Sequence, residues 1–232
     1  MSGMETDKFV QQLAAAAEPV ARLSPPSVRL VTWLALGVPY AALVVLMMSP
    51  RPDLAAKLAD PMYVIEQLAA LATGIVAGFA AFASTVPGFD RRILLLPSIP
   101  LAVWVGTLGF GCVQSWVQLG PAGLSIEPDW LCFPAIVLVG LLPAVAIALM
   151  LRRGAPLMPR LTAALGGLAA AGIGNFGLRL FHPQDASIMV LVWQMGTVFA
   201  LTALAGWAGR RLLNWNMLTE NIRRKLMFLQ TE

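Results

Sequence analysis

Cys112, Cys132 and His182 are the scarcest reactive side chains in this 232-residue sequence, its only two thiols and its only imidazole. A single histidine excludes most catalytic and metal signatures, which need several ligands. Two cysteines are too few for a disulfide framework, and no CxxC is present for thiol–disulfide exchange. No nucleophile–base pair is evident, so hydrolysis is not expected. The sequence therefore calls for no enzyme and no cofactor. Other polar groups stand inside long apolar runs: Glu66 and Gln67, Gln114, Asn175 and Arg179, and Gln194. Ionisable groups in such surroundings are costly unless paired, and they mark function more often than chance.

The elements that must position these residues are helices. The chain is 58% hydrophobic and 12% charged, with a mean hydropathy of +0.75. A soluble core of this length could not bury that much apolar surface. Spanning a hydrocarbon layer about 30 Å thick takes about 20 mostly apolar residues, at ~1.5 Å per residue. Six stretches meet that requirement: Val28–Met48, Met62–Val86, Ile93–Val117, Trp130–Leu151, Leu161–Phe181 and Ser187–Leu213. Proline- and glycine-bearing breakers separate them, at Ser49-Pro50-Arg51-Pro52, Pro87-Gly88, Gly120-Pro121, Gly154-Ala155-Pro156 and His182-Pro183. Asp60-Pro61 reads as an N-cap followed by proline at the first helical position. The expected fold is all-α, a polytopic membrane protein of six transmembrane helices. The first apolar run begins near Leu30, after a polar segment carrying Glu5, Asp7 and Glu18, which is unlike a cleavable signal peptide.

Charge sets the expected orientation. With the N-terminus inside, cytoplasmic segments hold Lys8, Arg22, Arg29, Arg91, Arg92, Arg152, Arg153, Arg160, Arg210, Arg211, Arg223, Arg224 and Lys225. Of the 16 basic residues this leaves Arg51, Lys57 and Arg179 outside. That positive-inside asymmetry explains the net charge of +4 without a nucleic-acid partner. Both termini are then cytoplasmic, and the outer loops are Pro50–Pro61, Gln118–Asp129 and His182–Ala186. In this orientation every intramembrane polar residue named above, with Cys112 and Cys132, falls in the outer half of the bilayer. Two readings follow: hydrogen bonding between helices plus one ion pair, Glu66 with Arg179, or a polar pocket open to the periplasm.

Small residues recur at helical spacing, Gly74 with Gly78 and Gly166 with Ala170 and Gly174. They allow close backbone approach, within one compact bundle or across a dimer. At the N-terminus, Phe9, Leu13, Ala16 and Val20, with Val10 and Ala17 beside them, fall on one face of a helix within Thr6–Leu23. Its polar face lacks the Lys and Arg that membrane-surface helices favour, and a helix this short is marginal alone in water. The pattern fits a segment that orders in a partner's groove.

The order of several motifs is similar to that of a known family. They run Glu18-Pro19-Val20-Ala21-Arg22-Leu23-Ser24-Pro25-Pro26, Arg51-Pro52-Asp53-Leu54-Ala55 through Asp60-Pro61, and Val86-Pro87-Gly88. Next come Gly109-Phe110-Gly111-Cys112 with Trp116, Leu131-Cys132, and Pro159-Arg160-Leu161-Thr162. Leu178-Arg179-Leu180-Phe181-His182-Pro183 and Gly209-Arg210-Arg211 complete the set. From Thr6 to Arg211 the chain resembles the NrsF family, membrane-bound negative regulators of sigma-F-type extracytoplasmic-function (ECF) sigma factors.

The resemblance implies an anti-sigma factor of the bacterial inner membrane. Its cytoplasmic N-terminal segment, residues 1–27 with anchors Phe9, Val10, Leu13 and Val20, would hold an ECF sigma factor inactive. A six-helix domain, 28–213, would read a heavy-metal or oxidative signal at its outer face, and a cytoplasmic tail, 214–232, would follow. The sensor residues implied are Cys112, Cys132 and His182. Relatives place a second sensing cysteine where this chain has His182, so a disulfide between positions 132 and 182 is excluded here. Cys112 lies roughly 8 Å and Cys132 roughly 3 Å inside the outer boundary at ~1.5 Å per residue. Spans three and four are expected to be neighbours, so a Cys112–Cys132 disulfide and soft-metal capture by both thiolates and His182 stay open, as does plain packing. The tail from Trp215 runs past the family's usual end, with Leu218, Ile222, Leu226 and Leu229 on one helical face suited to the inner leaflet. The rival reading is a small permease or transporter subunit using the outer polar pocket, but no broken helix or midplane charge pair supports it.

Overall fold

In a computed structural model, the described residues are 6–8, 10, 11, 15, 23–120, 132–154, 156–182 and 191–213; residues 132, 133, 193, 194 and 212 are described by backbone alone. Long helices dominate them: α1 (Pro26–Met48), α3 (Pro61–Ala83), α4 (Ser98–Leu119), α5 (Cys132–Arg152), α6 (Pro159–Phe181) and α7 (Gly196–Leu212), with a short α2 (Leu54–Leu58) between α1 and α3. No strand occurs among the described residues. Five stretches are long and apolar enough to cross a membrane: Pro26–Met48, Pro61–Ala83, Arg91–Leu119, Pro134–Arg152 and Pro159–Phe181. The last span expected from sequence is described from Leu191, where a π-helical turn (Leu191–Met195) runs straight into α7.

The punctuation works as the residue types require. Asp60 caps α3, its Oδ1 accepting from the Met62 amide at 2.9 Å, with Pro61 at the first helical position. Pro26 and Pro159 likewise hold the first helical position of α1 and α6, there without a side-chain cap. Gly120 ends α4 at φ +60°, a left-handed conformation that glycine adopts without steric cost. Two details differ from the sequence reading. The outer loop expected at Pro50–Pro61 contains α2, because Leu54-Ala55-Ala56-Lys57-Leu58 is a run of strong helix formers. The third span opens as a 3-10 turn, Arg91–Leu95, and restarts after Pro97, which has no amide hydrogen to carry the helical ladder through.

The axis of the bundle is α6, which packs against α7, α3, α5 and α1. Small side chains make this possible. A Cβ on Gly172 would come within 2.8 Å of the Gly74 nitrogen, and one on Gly174 within 3.0 Å of the Ile136 carbonyl oxygen. Gly78 lies against the Trp33 ring, and Gly166 against Leu151 and Ile147. The Gly74/Gly78 and Gly166/Ala170/Gly174 patterns are thus consumed inside one chain, as packing within a single bundle requires. The Trp33 indole, fully buried, donates to the Pro143 carbonyl at 2.8 Å and ties α1 to α5.

Outward faces carry the opposite composition. Val31, Leu46, Met47, Ile99, Val117 and Trp207 are each about two-thirds exposed or more. Apolar rows of this extent on the outside, with Glu66, Asn175 and Arg179 buried inside, invert the arrangement of a soluble domain and suit lipid as solvent.

Candidate functional site

Polar side chains gather at two levels, one at each end of the bundle. At one end the start of α3, the end of α6 and the α1–α2 connection converge. Arg179 and Glu66, both buried, pair through Nε to Oε1 at 3.0 Å and through an Nη to Oε2 at 3.4 Å. This is the ion pair expected from sequence. Tyr63, one turn before Glu66 on the same face of α3, donates its hydroxyl to the Arg179 carbonyl at 2.8 Å, and its ring lies 5.4 Å from the Arg179 guanidinium.

Arg51 closes this end. Its amide donates to the Leu180 carbonyl at 3.0 Å and an Nη to the His182 carbonyl at 3.5 Å, fastening the α1–α2 connection to the end of α6. Its guanidinium grips Asp53 with both oxygens engaged, at 2.6 and 2.7 Å. That fork holds the Asp53 carboxyl below its ordinary 3.8. Gln67 and Asn175 lie buried beside the ion pair, and neither carboxamide has a hydrogen-bond partner among the described residues.

The residues expected to sense are distributed unevenly. Cys112 is a free, buried thiol on α4. His182 caps the end of α6, its amide donating to the Leu178 carbonyl at 2.8 Å. The Cys132 side chain is outside the described residues, but its backbone opens α5. The α5–α6 contacts run antiparallel, Ile147 with Gly166 and Ile136 with Gly174, and Ile136 clusters with Leu178 and Phe181, so the start of α5 lies beside the end of α6. The expectation that spans three and four are neighbours is corrected: α4 packs on α3 and on the π-helical turn, α5 on α6 and α1, and among the described residues α4 and α5 are not a packed pair. A short connection does not make neighbours when α5 finds a small-residue face on α6 and α4 packs on α3. Gln114 is exposed, and the Gln194 side chain lies outside the described residues. No group of three His, Cys, Asp or Glu side chains suited to a metal occurs among the described residues.

At the opposite end, Arg29 is buried. It donates to Thr85 Oγ1 at 2.8 Å and to the Met150 carbonyl, and lies 4.6 Å from the centroid of the Phe82 ring. Ser84 and Thr162 exchange a 2.8 Å bond nearby. Sequence reasoning treated Arg29 only as one of the orienting charges. The available signal was its spacing, four residues before Trp33 and eight before Gly37, on the buried face of α1. Residues 6–8, 10, 11 and 15 of the N-terminal segment are helical, and Val10 is 56% exposed. Phe9, Leu13 and Val20 lie outside the described residues, as do residues 214–232.

Long apolar helices around buried polar pairs define a polytopic helical bundle of the membrane class. The sequence match is more specific: the family described as "Negative regulator of sigma F" (NrsF) covers residues 13–215. The anti-sigma-F factor NrsF of Caulobacter vibrioides (strain NA1000 / CB15N) is 31% identical over 219 residues, spanning 91% of this chain and 100% of the relative. The chain belongs to the NrsF family, a family of regulators. No solved structure matches.

Proposed function

We propose that the protein is an anti-sigma factor that holds an ECF sigma factor inactive at the bacterial inner membrane. The observation that carries this reading is the match to an anti-sigma-F factor over nearly the whole chain. Residues 1–27 form the cytoplasmic sigma-binding segment, with Phe9, Val10, Leu13 and Val20 as anchors, and exposed, helical Val10 supports an apolar face awaiting a partner. Residues 28–213 cross the membrane six times, both termini lie in the cytoplasm, and 214–232 form a cytoplasmic tail. Control is by sequestration: the anchors occupy the surface through which the sigma factor would meet polymerase.

Release is driven from the periplasmic side by a metal or oxidative stress signal read at Cys112, Cys132 and His182. The packing of the start of α5 beside the end of α6 supports grouping Cys132 with His182 in that sensor. Helix α1 supplies the mechanical link. Arg51 anchors one end to the sensor level, the effector segment leaves the other, and its 23 residues span about 35 Å. A signal releases the partner only by favouring one of two bundle arrangements.

Co-expression with a sigma-F-type ECF factor, scored for membrane retention, tests the reading. Wild-type chain retains it. Phe9→Asp and Leu13→Asp insert normally and release it, since a carboxylate in an apolar groove costs several kcal/mol and weakens binding by orders of magnitude. Retention by both variants would show that the N-terminal helix is not the binding element.

A further inference from the structure

The buried arginine opposite the sensor level borders a cavity. This space, about 170 Å3, lies between the start of α1 and the end of α5, and Ser24, Val28, Arg29, Met150 and Arg153 are in its wall. That is more than ten times the ~10–15 Å3 of such space that holding one water takes. Arg29 is only 5% exposed, yet the groups it meets are a hydroxyl, a backbone carbonyl and a phenyl ring. All are neutral, and no carboxylate pairs with it among the described residues. A buried cation without a counter-charge is expensive, and an anion beside it removes that cost.

Two independent features favour an anion in this cavity. Helix α1 begins here without a side-chain cap, so the first-turn amides of Ser27 and Val28 stand at the positive end of the helix dipole. Arg153 adds a second, exposed guanidinium to the wall. The location then selects the kind of anion. The cavity sits at the ends of two helices long and apolar enough to cross a membrane, hence at headgroup depth. Below it Val28 and Val31 of α1 stand half to two-thirds exposed, as a track for an acyl chain.

We propose that this cavity binds the phosphate of an anionic phospholipid headgroup, with Arg29 and Arg153 as its two cationic contacts. The proposal rests on the membrane reading, and the cytoplasmic orientation makes the lipid one of the inner leaflet. Occupation would brace the α1–α5 contact where the sigma-binding segment leaves the membrane.

The test uses the full chain purified in dodecylmaltoside micelles without sigma factor, titrated with phosphatidylglycerol, phosphatidylcholine or inorganic phosphate and read by native mass spectrometry and thermal unfolding. The expected result is saturable binding and stabilisation by phosphatidylglycerol alone. Its apparent affinity should fall about tenfold in Arg29→Gln, as for loss of one charge-assisted hydrogen bond. Arg153→Gln, at an exposed position that does not threaten folding, should also weaken it severalfold. Equal binding of phosphatidylcholine, or undiminished phosphatidylglycerol binding in Arg153→Gln, would overturn the proposal. So would inorganic phosphate reproducing the whole stabilisation, which would assign a free anion. Since no sigma factor is present and micelles have no sidedness, failure here leaves sigma retention standing, and failed retention leaves the lipid result standing.

Discussion

Arg179 and Glu66 meet inside an apolar bundle, through an Nε–Oε1 ion contact of 3.0 Å and an Nη–H bond to Oε2 of 3.4 Å. Such a pair contributes little beyond what apolar residues of its size would, but breaking it strands a charge. Glu66→Gln is therefore expected to destabilise the protein by about 3–5 kcal/mol, whereas Glu66→Leu combined with Arg179→Met recovers most of the loss. Thermal unfolding in detergent checks both, and a double variant no better than the single one would argue against a pairing penalty. The Arg51–Asp53 fork behaves differently because the Asp53 side chain is 46% exposed. Arg51 lowers the Asp53 pKa, so its contribution is fully present above the ordinary carboxylate value of 3.8 and disappears as pH falls through the lowered one. The stability gap between wild type and Asp53→Asn should be constant near neutrality and close as the pH drops below that range. A gap unchanged at acid pH would show that the carboxylate's charge is not what Arg51 uses.

At the scale of elements, α3 and α6 approach as closely as their glycines permit. A methyl on Gly172 would stand 2.8 Å from the Gly74 nitrogen and 3.0 Å from the Ala70 carbonyl oxygen, both rigid backbone. Gly172→Ala should push the helices apart at a cost of about 1–3 kcal/mol. Gly106→Ala, on the exposed face of α4 with nothing within 4 Å of the new methyl, should be neutral or stabilising by up to about 1 kcal/mol. Unfolding midpoints of the two variants compare the same chemical change in a crowded and an open place. Equal effects would mean that glycine at 172 serves helix propensity alone.

For the whole molecule, α1, α3 and α6 each reach both polar levels. The first runs from Arg29 to the Arg51 staple, the second from Glu66 to Ser84 and Thr85, the third from Thr162 to Arg179. The end of α6 and the start of α1 are thus connected through packed helices. The proposed direction of signalling depends on orientation. Reporter fusions at Ser125 are expected to report a periplasmic location and fusions at the C-terminus a cytoplasmic one. A cytoplasmic Ser125 would reverse the orientation and place the cysteines on the wrong side for an external signal.

The helices themselves were legible in the residues, because hydropathy and punctuation are local. Apolar runs of about 20 residues, Asp60-Pro61 as a cap and Gly120 as a stop are read within one or two turns of chain. The Glu66–Arg179 pair was legible for a related reason: two opposite charges stranded in apolar runs at similar depth have few alternatives to each other. The sequence also carried the family in its spaced motifs. Which helices touch was decided only by the tertiary structure. Backbone approach of Gly172 to Gly74 and of Gly174 to Ile136 selects α3 and α5 as neighbours of α6, and this shape fit between distant segments separates α4 from α5 despite their adjacency in the chain. Arg29 likewise reads as a surface charge until folding brings Thr85 and Met150, 56 and 121 residues away, against it. Its burial and the cavity beside it arise from contacts between segments far apart in the chain, which local patterns of hydropathy and charge do not encode.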